Sequence, residues 1–139
     1  MGEILRRVSR EYVEIVRRTY GEWAQGNMRA GVELFDPEIA FETFMPDADQ
    51  RIVARGPAEI AGFMREFLRQ WRDYRLLAEE FVDHGETVLV IGHQSAFGRQ
   101  SGIAVDYPMC SAWTFRRGKV VRLAFDPDPQ RALAAAQPK

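Results

Sequence analysis

Between residues 56 and 75 the hydrophobic period of the chain changes, and that change limits the folds open to it. After Gly56-Pro57, the residues Ile60, Phe63, Met64, Phe67, Leu68 and Trp71 recur at three- and four-residue steps. This spacing puts them on one face of a helix, which must be buried against another layer. Asp73-Tyr74-Arg75 then opens an extended run, and from there the pattern is that of strands. The runs are Tyr74 to Val82, Thr87 to Gly98, Ile103 to Arg116 and Lys119 to Phe125. Short polar, glycine-bearing turns at 83–86, 100–102 and 117–118 separate them, which predicts an antiparallel meander.

Upstream, Ile4, Leu5, Val8, Tyr12, Ile15, Val16, Thr19 and Trp23 form the apolar stripe of a first helix, broken at Gly26-Asn27. Met28, Val32, Leu34 and Phe35 suggest a short second helix before Asp36-Pro37. A short strand over Glu38 to Phe44 and a polar loop from Met45 to Arg55 come next. At the far end Asp128 is a fair N-cap with Pro129 in the first helical position, leading a helix toward Ala136. No repeat or linker divides the chain, so residues 1–139 are expected to form a single α+β domain. In it a strongly curved, mainly antiparallel sheet wraps three helices into a cone-shaped barrel with an apolar interior.

A composition of 46% hydrophobic and 12% aromatic residues supplies a core without metal or disulfide staples. A net charge of −1 gives no electrostatic footprint for nucleic acid. Arg6-Arg7 and Arg17-Arg18 are interleaved with Glu3, Glu11, Glu14 and Glu22, the pattern of a solvated helix face. Cys110 is the single cysteine, which points to a reducing compartment. The charged start lacks the apolar segment of a signal peptide, and no apolar run is long enough to span a bilayer, so a cytoplasmic protein is expected. Two histidines and one cysteine without ligand spacing predict no metal site and no cofactor.

Three segments carry a family likeness: Tyr20 to Asn27, Gly56 to Phe63 followed by Asp73-Tyr74-Arg75, and Trp113 to Val120. Through them the chain, from about Arg10 to Ala135, resembles the SnoaL-like polyketide cyclase group of the nuclear transport factor 2-like superfamily. The resemblance implies a cone with a ligand cavity. Members include cyclases, isomerases, dehydratases and epoxide hydrolases, so the fold cannot by itself supply the function.

The chemistry depends on which side chains face the cavity. In the third long strand Tyr107, Met109, Ser111, Trp113 and Phe115 share one face, expected inside, with Asp106, Pro108, Cys110, Ala112 and Thr114 outside. The facing of the preceding strand turns on one loop. A three-residue Gln100-Ser101-Gly102 turn sets His93 opposite Met109 and brings it inward with Leu89, Ile91, Ser95 and Phe97, whereas a two- or four-residue loop brings Gln94 inward. The larger apolar groups on the His93 face favour the first register. His93 then becomes the candidate acid–base group, titrating near neutral pH. Ser111 or Tyr107 would orient it or bind a substrate oxygen; the alternative is a buried neutral histidine with a structural partner. Tyr20 and Trp23 match positions that line the cavity in the family, and Met64 and Phe97 join them as candidate ligand contacts. Glu42 and the pair Glu79-Glu80 leave their directions open, and Asp126 is expected to cap the Asp-Pro turn or to sit at the rim.

The resemblance also argues against two activities. Where ketosteroid isomerases of this superfamily carry a base, a tyrosine and a second acid, this chain has Thr43, Thr19 and Ser111. A threonine hydroxyl cannot abstract a carbon-bound proton near neutral pH. Phe125 stands where an epoxide hydrolase would have its last-strand aspartate. What remains is a small-molecule-binding protein acting on a largely apolar or cyclic carbonyl compound by cyclisation, isomerisation or dehydration. The alternative is a non-catalytic binding or dimerisation domain. The outer-face residues Cys110, Ala112, Val120 and Ala124 suggest a homodimer.

Overall fold

The computed structural model describes residues 2–45 and 50–137. Helix α1 (Gly2–Ala24) stops before Gly26, which takes a positive φ of 95°. The burial of its stripe begins only around Val8. Ile4 and Leu5 are exposed, because the helix overhangs the sheet beyond Ser9, whose hydroxyl donates to Asp83 near the end of a strand. The expected second helix shrinks to a single 3-10 turn, Val32–Leu34. Strand β1 (Phe35–Met45) begins at once, and its pairing is irregular between Phe35 and Ala40, where Pro37 has no N–H to offer a ladder. The segment expected as a polar loop holds a strand, β2 (Gln50–Arg55), paired with β1; residues 46–49 of that segment lie outside the described residues. Ile52 and Ala54 are partly buried while Arg51, Val53 and Arg55 are exposed, a two-residue alternation that marks a strand.

Helix α2 (Gly56–Arg69) opens with its proline in the first turn, as expected. The meander follows as β3 (Trp71–His84), β4 (Thr87–Gly98), β5 (Ala104–Pro108), β6 (Cys110–Arg116) and β7 (Lys119–Asp126). Among the described residues the strands form one sheet in the order β2-β1-β7-β6-β4-β3, with β5 paired to β4. β1 and β7 run parallel and the other neighbours antiparallel. Bulges between Arg72 and Arg75 and between Ala78 and Glu80 in β3 add local twist. Opposite the second, Gly92 comes so close to β3 that a Cβ there would run into the Leu77 carbonyl.

The two faces of the sheet carry different helices. On the inner face Tyr12 stacks on Phe115 with ring centroids 4.2 Å apart, and Val16, Tyr20 and Ile60 pack with Phe41, Leu76, Val88, Val90 and Trp113. The fold class is the one expected, but α3 (Pro129–Ala136) lies on the other face. Its Ala132 and Ala136 close a second core with Leu89, Cys110, Ala112 and Ala124. The apolar outer face is therefore already covered by the chain's own helix. Cys110, Ala112 and Ala124 are not open to a second copy, and Val120 belongs to the inner core.

Charge and hydrogen bonds hold α3 in place. Asp126, at the end of β7, has no exposure to solvent. Its carboxylate accepts from Arg131 Nε at 3.1 and 3.3 Å, from Arg51 Nη2 at 3.2 Å and from the Asp128 amide at 2.9 Å. Arg51 also reaches Glu42 at 2.8 Å, so a single network joins β1, β2, β7 and α3. Asp128 caps the helix by accepting from the Gln130 amide, and Thr114 donates to the Ala136 carbonyl at the other end. Replacing Asp126 with Ala is expected to cost about 2–4 kcal/mol in urea denaturation, with Asp126→Asn milder because its amide oxygen still accepts. A loss below about 0.5 kcal/mol for Asp126→Ala would show that the network does not hold the helix.

Candidate functional site

The turn between β4 and β5 decides which strand face looks inward. The Gly98 amide donates to the Ile103 carbonyl at 3.0 Å and the Gly102 amide to the Gly98 carbonyl at 2.8 Å, so four residues, 99–102, form the loop. Gly102 takes the positive φ expected of it, at 69°. The fourth residue shifts the register by one: Gln94 pairs with Tyr107 and His93 with Pro108. Gln94, Val90 and Val88 therefore share the inner face with Tyr107, Ser111 and Trp113. His93 goes outward, its Nδ1 3.2 Å from Glu79 Oε1 beside a shallow outer groove that also holds Asp106. Phe97 goes with it, 37% exposed under the Arg72 guanidinium. Of the larger apolar groups of that face, Leu89 is buried and Ile91 partly buried all the same, but in the core that α3 closes.

Between α2, the segment around the 3-10 turn and the inner face of the sheet lies a cavity of about 350 Å³. Its wall is mostly apolar, with Phe41, Phe63, Met64, Leu76, Met109 and Phe125 prominent. Away from the exposed Arg29 and Arg65, the polar side chains Thr43, Tyr74 and Gln94 interrupt it. Thr43 is buried on β1, and the Tyr74 hydroxyl donates to Gln94 Oε1 at 2.7 Å. Burial, and then the nearby Tyr20 and Tyr107, push the Tyr74 phenol well above the usual tyrosine range. It therefore stays a neutral hydrogen-bond donor, and the Gln94 amide adds two N–H donors to its accepting oxygen. At the mouth the exposed lining residues include Arg29 and Arg65. Among the described residues no Asp, Glu or His lines this cavity.

Of the side chains expected in the site, Trp23, Met64 and Met109 line the cavity. Tyr107, opposite Gln94, is half-buried against the inner core but lines the outer groove with His93, not this cavity. Tyr20, Ser111 and Trp113 converge on one another instead. The Tyr20 hydroxyl is 2.7 Å from Ser111 Oγ, which also accepts from Trp113 Nε1 at 2.9 Å. Ser111 and Trp113 have no solvent exposure, and the Tyr20 phenol is raised above its ordinary range chiefly by burial. This hydroxyl knot is packed between α1 and β6, outside the cavity wall. Trp23 bridges the two regions, its ring 5.6 Å from Trp113 and its Nε1 donating to the Ala30 carbonyl. Thr43 and Phe125, identified by their alignment with catalytic positions of relatives, do face the cavity.

Tyr74 was not among the expected site residues, although Tyr74 and Leu76 alternate into the cavity along β3. The bulge at Asp73, which has a φ of 53°, breaks the count from α2. A strand period restarted at Tyr74 would have found both.

With the cavity described, the comparisons with known proteins can be placed on it. The model of the SnoaL-like domain matches residues 16–123. The chain belongs to the SnoaL-like family. No curated protein sequence matches it. Among solved structures, an NTF2-like protein from Burkholderia thailandensis E264 superposes with a TM-score of 0.74 at 23% identity, covering 91% of this chain and 97% of that one. TerC, co-crystallised with polyporic acid, gives 0.70 at 19% identity over 89% and 96%. A protein assigned as a SnoaL-like polyketide cyclase, from Jannaschia sp. CCS1, gives 0.69 at 20% over 91% and 92%. At these identities the likeness is one of fold.

Two tests follow from the burial of these hydroxyls. Ser111→Ala strands the Tyr20 hydroxyl and the Trp113 N–H together, and is expected to cost about 2–4 kcal/mol in denaturant. Tyr20→Phe leaves Ser111 paired with Trp113 and should cost about 1 kcal/mol; equal losses would contradict the bridging role. Stability should also fall as pH rises above about 10, since the folded state keeps the raised phenolic protons of Tyr20 and Tyr74 after the unfolded chain has released its own. The Tyr20→Phe and Tyr74→Phe double variant should flatten that slope in denaturation at pH 9 to 11.

Proposed function

We propose that this protein binds a small, largely apolar organic molecule in the cavity beneath α2, with Tyr74 and Gln94 recognising an oxygen at its inner end. The observation that carries the reading is the apolar wall of about 350 Å³, interrupted at depth by the Tyr74–Gln94 pair. That volume is at the lower end of the roughly 300–1,000 Å³ of small-molecule sites, which are mostly apolar with a few placed polar groups. TerC, of the same fold, was co-crystallised with polyporic acid, a ligand in keeping with such a site.

Acid–base turnover through His93 has no support from the geometry. A general base must come within hydrogen-bond reach of the proton it takes, and the His93 ring faces Glu79 on the other side of the sheet. Ser111 is enclosed, its hydroxyl shared between Tyr20 and Trp113. The Gln94 N–H groups suit a ligand carbonyl, and the Tyr74 oxygen, whose proton is given to Gln94, suits a ligand hydroxyl that donates to it. Binding is therefore the function that the cavity supports best.

A fluorescent apolar probe, N-phenyl-1-naphthylamine, tests this. It should bind at one saturable site and raise the melting temperature, since a ligand held only by the folded state stabilises that state. Met64→Trp fills the cavity and should abolish the signal while keeping a cooperative denaturation curve, and His93→Ala should bind as the parent does. Binding that survives Met64→Trp, or that is lost in His93→Ala, would refute the proposal.

A further inference from the structure

The wall of the cavity is polarised along its length. Its buried end is apolar around the neutral Tyr74–Gln94 pair, whereas its exposed lining residues include two guanidinium groups, Arg29 beside the 3-10 turn and Arg65 on α2. Among the described residues only some of the other arginines sit in ion pairs, so what sets Arg29 and Arg65 apart is that they line this cavity. Arg69, one turn further along α2, pairs with Glu66; Arg17 pairs with Glu14, Arg51 with Glu42, and Arg131 with Asp126. Among the described residues neither Arg29 nor Arg65 has a carboxylate within ion-pair distance, and no acidic side chain lines the cavity they border. Two unbalanced cations at the entrance of an apolar chamber attract an anion and leave the apolar body of the ligand to fill the interior.

We infer that the ligand is an amphipathic organic acid, bound with its apolar body inside the cavity and its anionic group held at the mouth by Arg29 and Arg65. This rests on the proposed binding function and names the class of molecule. A planar carboxylate or sulfonate suits the guanidinium fork. At the mouth it keeps part of its hydration, so the full cost of burying a charge is not incurred.

A matched pair of probes separates this inference from the reading beneath it. 8-Anilinonaphthalene-1-sulfonate differs from N-phenyl-1-naphthylamine by one sulfonate. In an uncharged cavity the added charge brings no gain in affinity. Here the sulfonate is expected to bind about five- to twentyfold more tightly at low salt, since an exposed ion pair contributes about two- to fivefold. The advantage should shrink in 0.5 M sodium chloride while the neutral probe is unaffected. Arg29→Gln with Arg65→Gln should bring the two affinities together, and Met64→Trp should remove both signals. Equal affinity for the two probes in the parent protein would overturn the inference and leave the binding function standing. So would a sulfonate preference that persists in the double arginine variant, or sulfonate binding that survives Met64→Trp. Failure of both probes to bind would remove the inference and the binding function together.

Discussion

One backbone hydrogen bond, from the Gly98 amide to the Ile103 carbonyl, sets the chemistry of the interior. Side chains alternate along a strand, so moving the pairing by one residue exchanges everything that β4 presents to its two sides. With four residues in the loop, Gln94 points into the cavity beside Tyr74, and the His93 imidazole is placed against Glu79 outside. The two arrangements would make different proteins. One has a group that exchanges protons near neutral pH within the chamber; the other has a neutral amide and a phenol kept protonated by burial.

That register is affordable because the sheet is covered on both sides. The face turned toward α1 and α2 holds the large aromatic core, and the opposite face carries Leu89, Cys110, Ala112 and Ala124 under the alanines of α3. Without α3 the outward turn of Leu89 and Ile91 would expose apolar surface to water. The buried Asp126 carboxylate, the Asp128 cap and the Thr114 hydroxyl hold the helix at both ends, so a short element covers its patch in one position. The Cys110 thiol, raised by burial, sits within this layer, packed as a small apolar side chain.

Within the inner layer, packing and cavity divide the polar groups between them. Tyr20, Ser111 and Trp113 hydrogen-bond to one another and tie α1 to β6. Thr43, Tyr74 and Gln94 line open space where a ligand oxygen can reach them. The exposed arginines Arg29 and Arg65 and the buried Thr43 and Gln94 belong to the lining of one cavity whose wall is otherwise mostly apolar.

Much of this was legible in the chain itself. The period change at Asp73, the Gly-Pro helix start, the Asp128-Pro129 cap and the inner face of β6 all follow from neighbours a few residues apart. That Thr43 and Phe125 stand where isomerases and epoxide hydrolases would carry acids was implied by the family resemblance, and both residues line the cavity. β2 was missed because its alternation is short and mostly exposed, and Tyr74 because the bulge at Asp73 resets the strand count. Local sequence thus determined the elements and the family. The tertiary structure alone decided that His93 faces out, that α3 covers the outer sheet and that Arg29 and Arg65 line the same cavity. Each of these depends on which of two apolar faces finds a partner, and that partner lies tens of residues away in the chain.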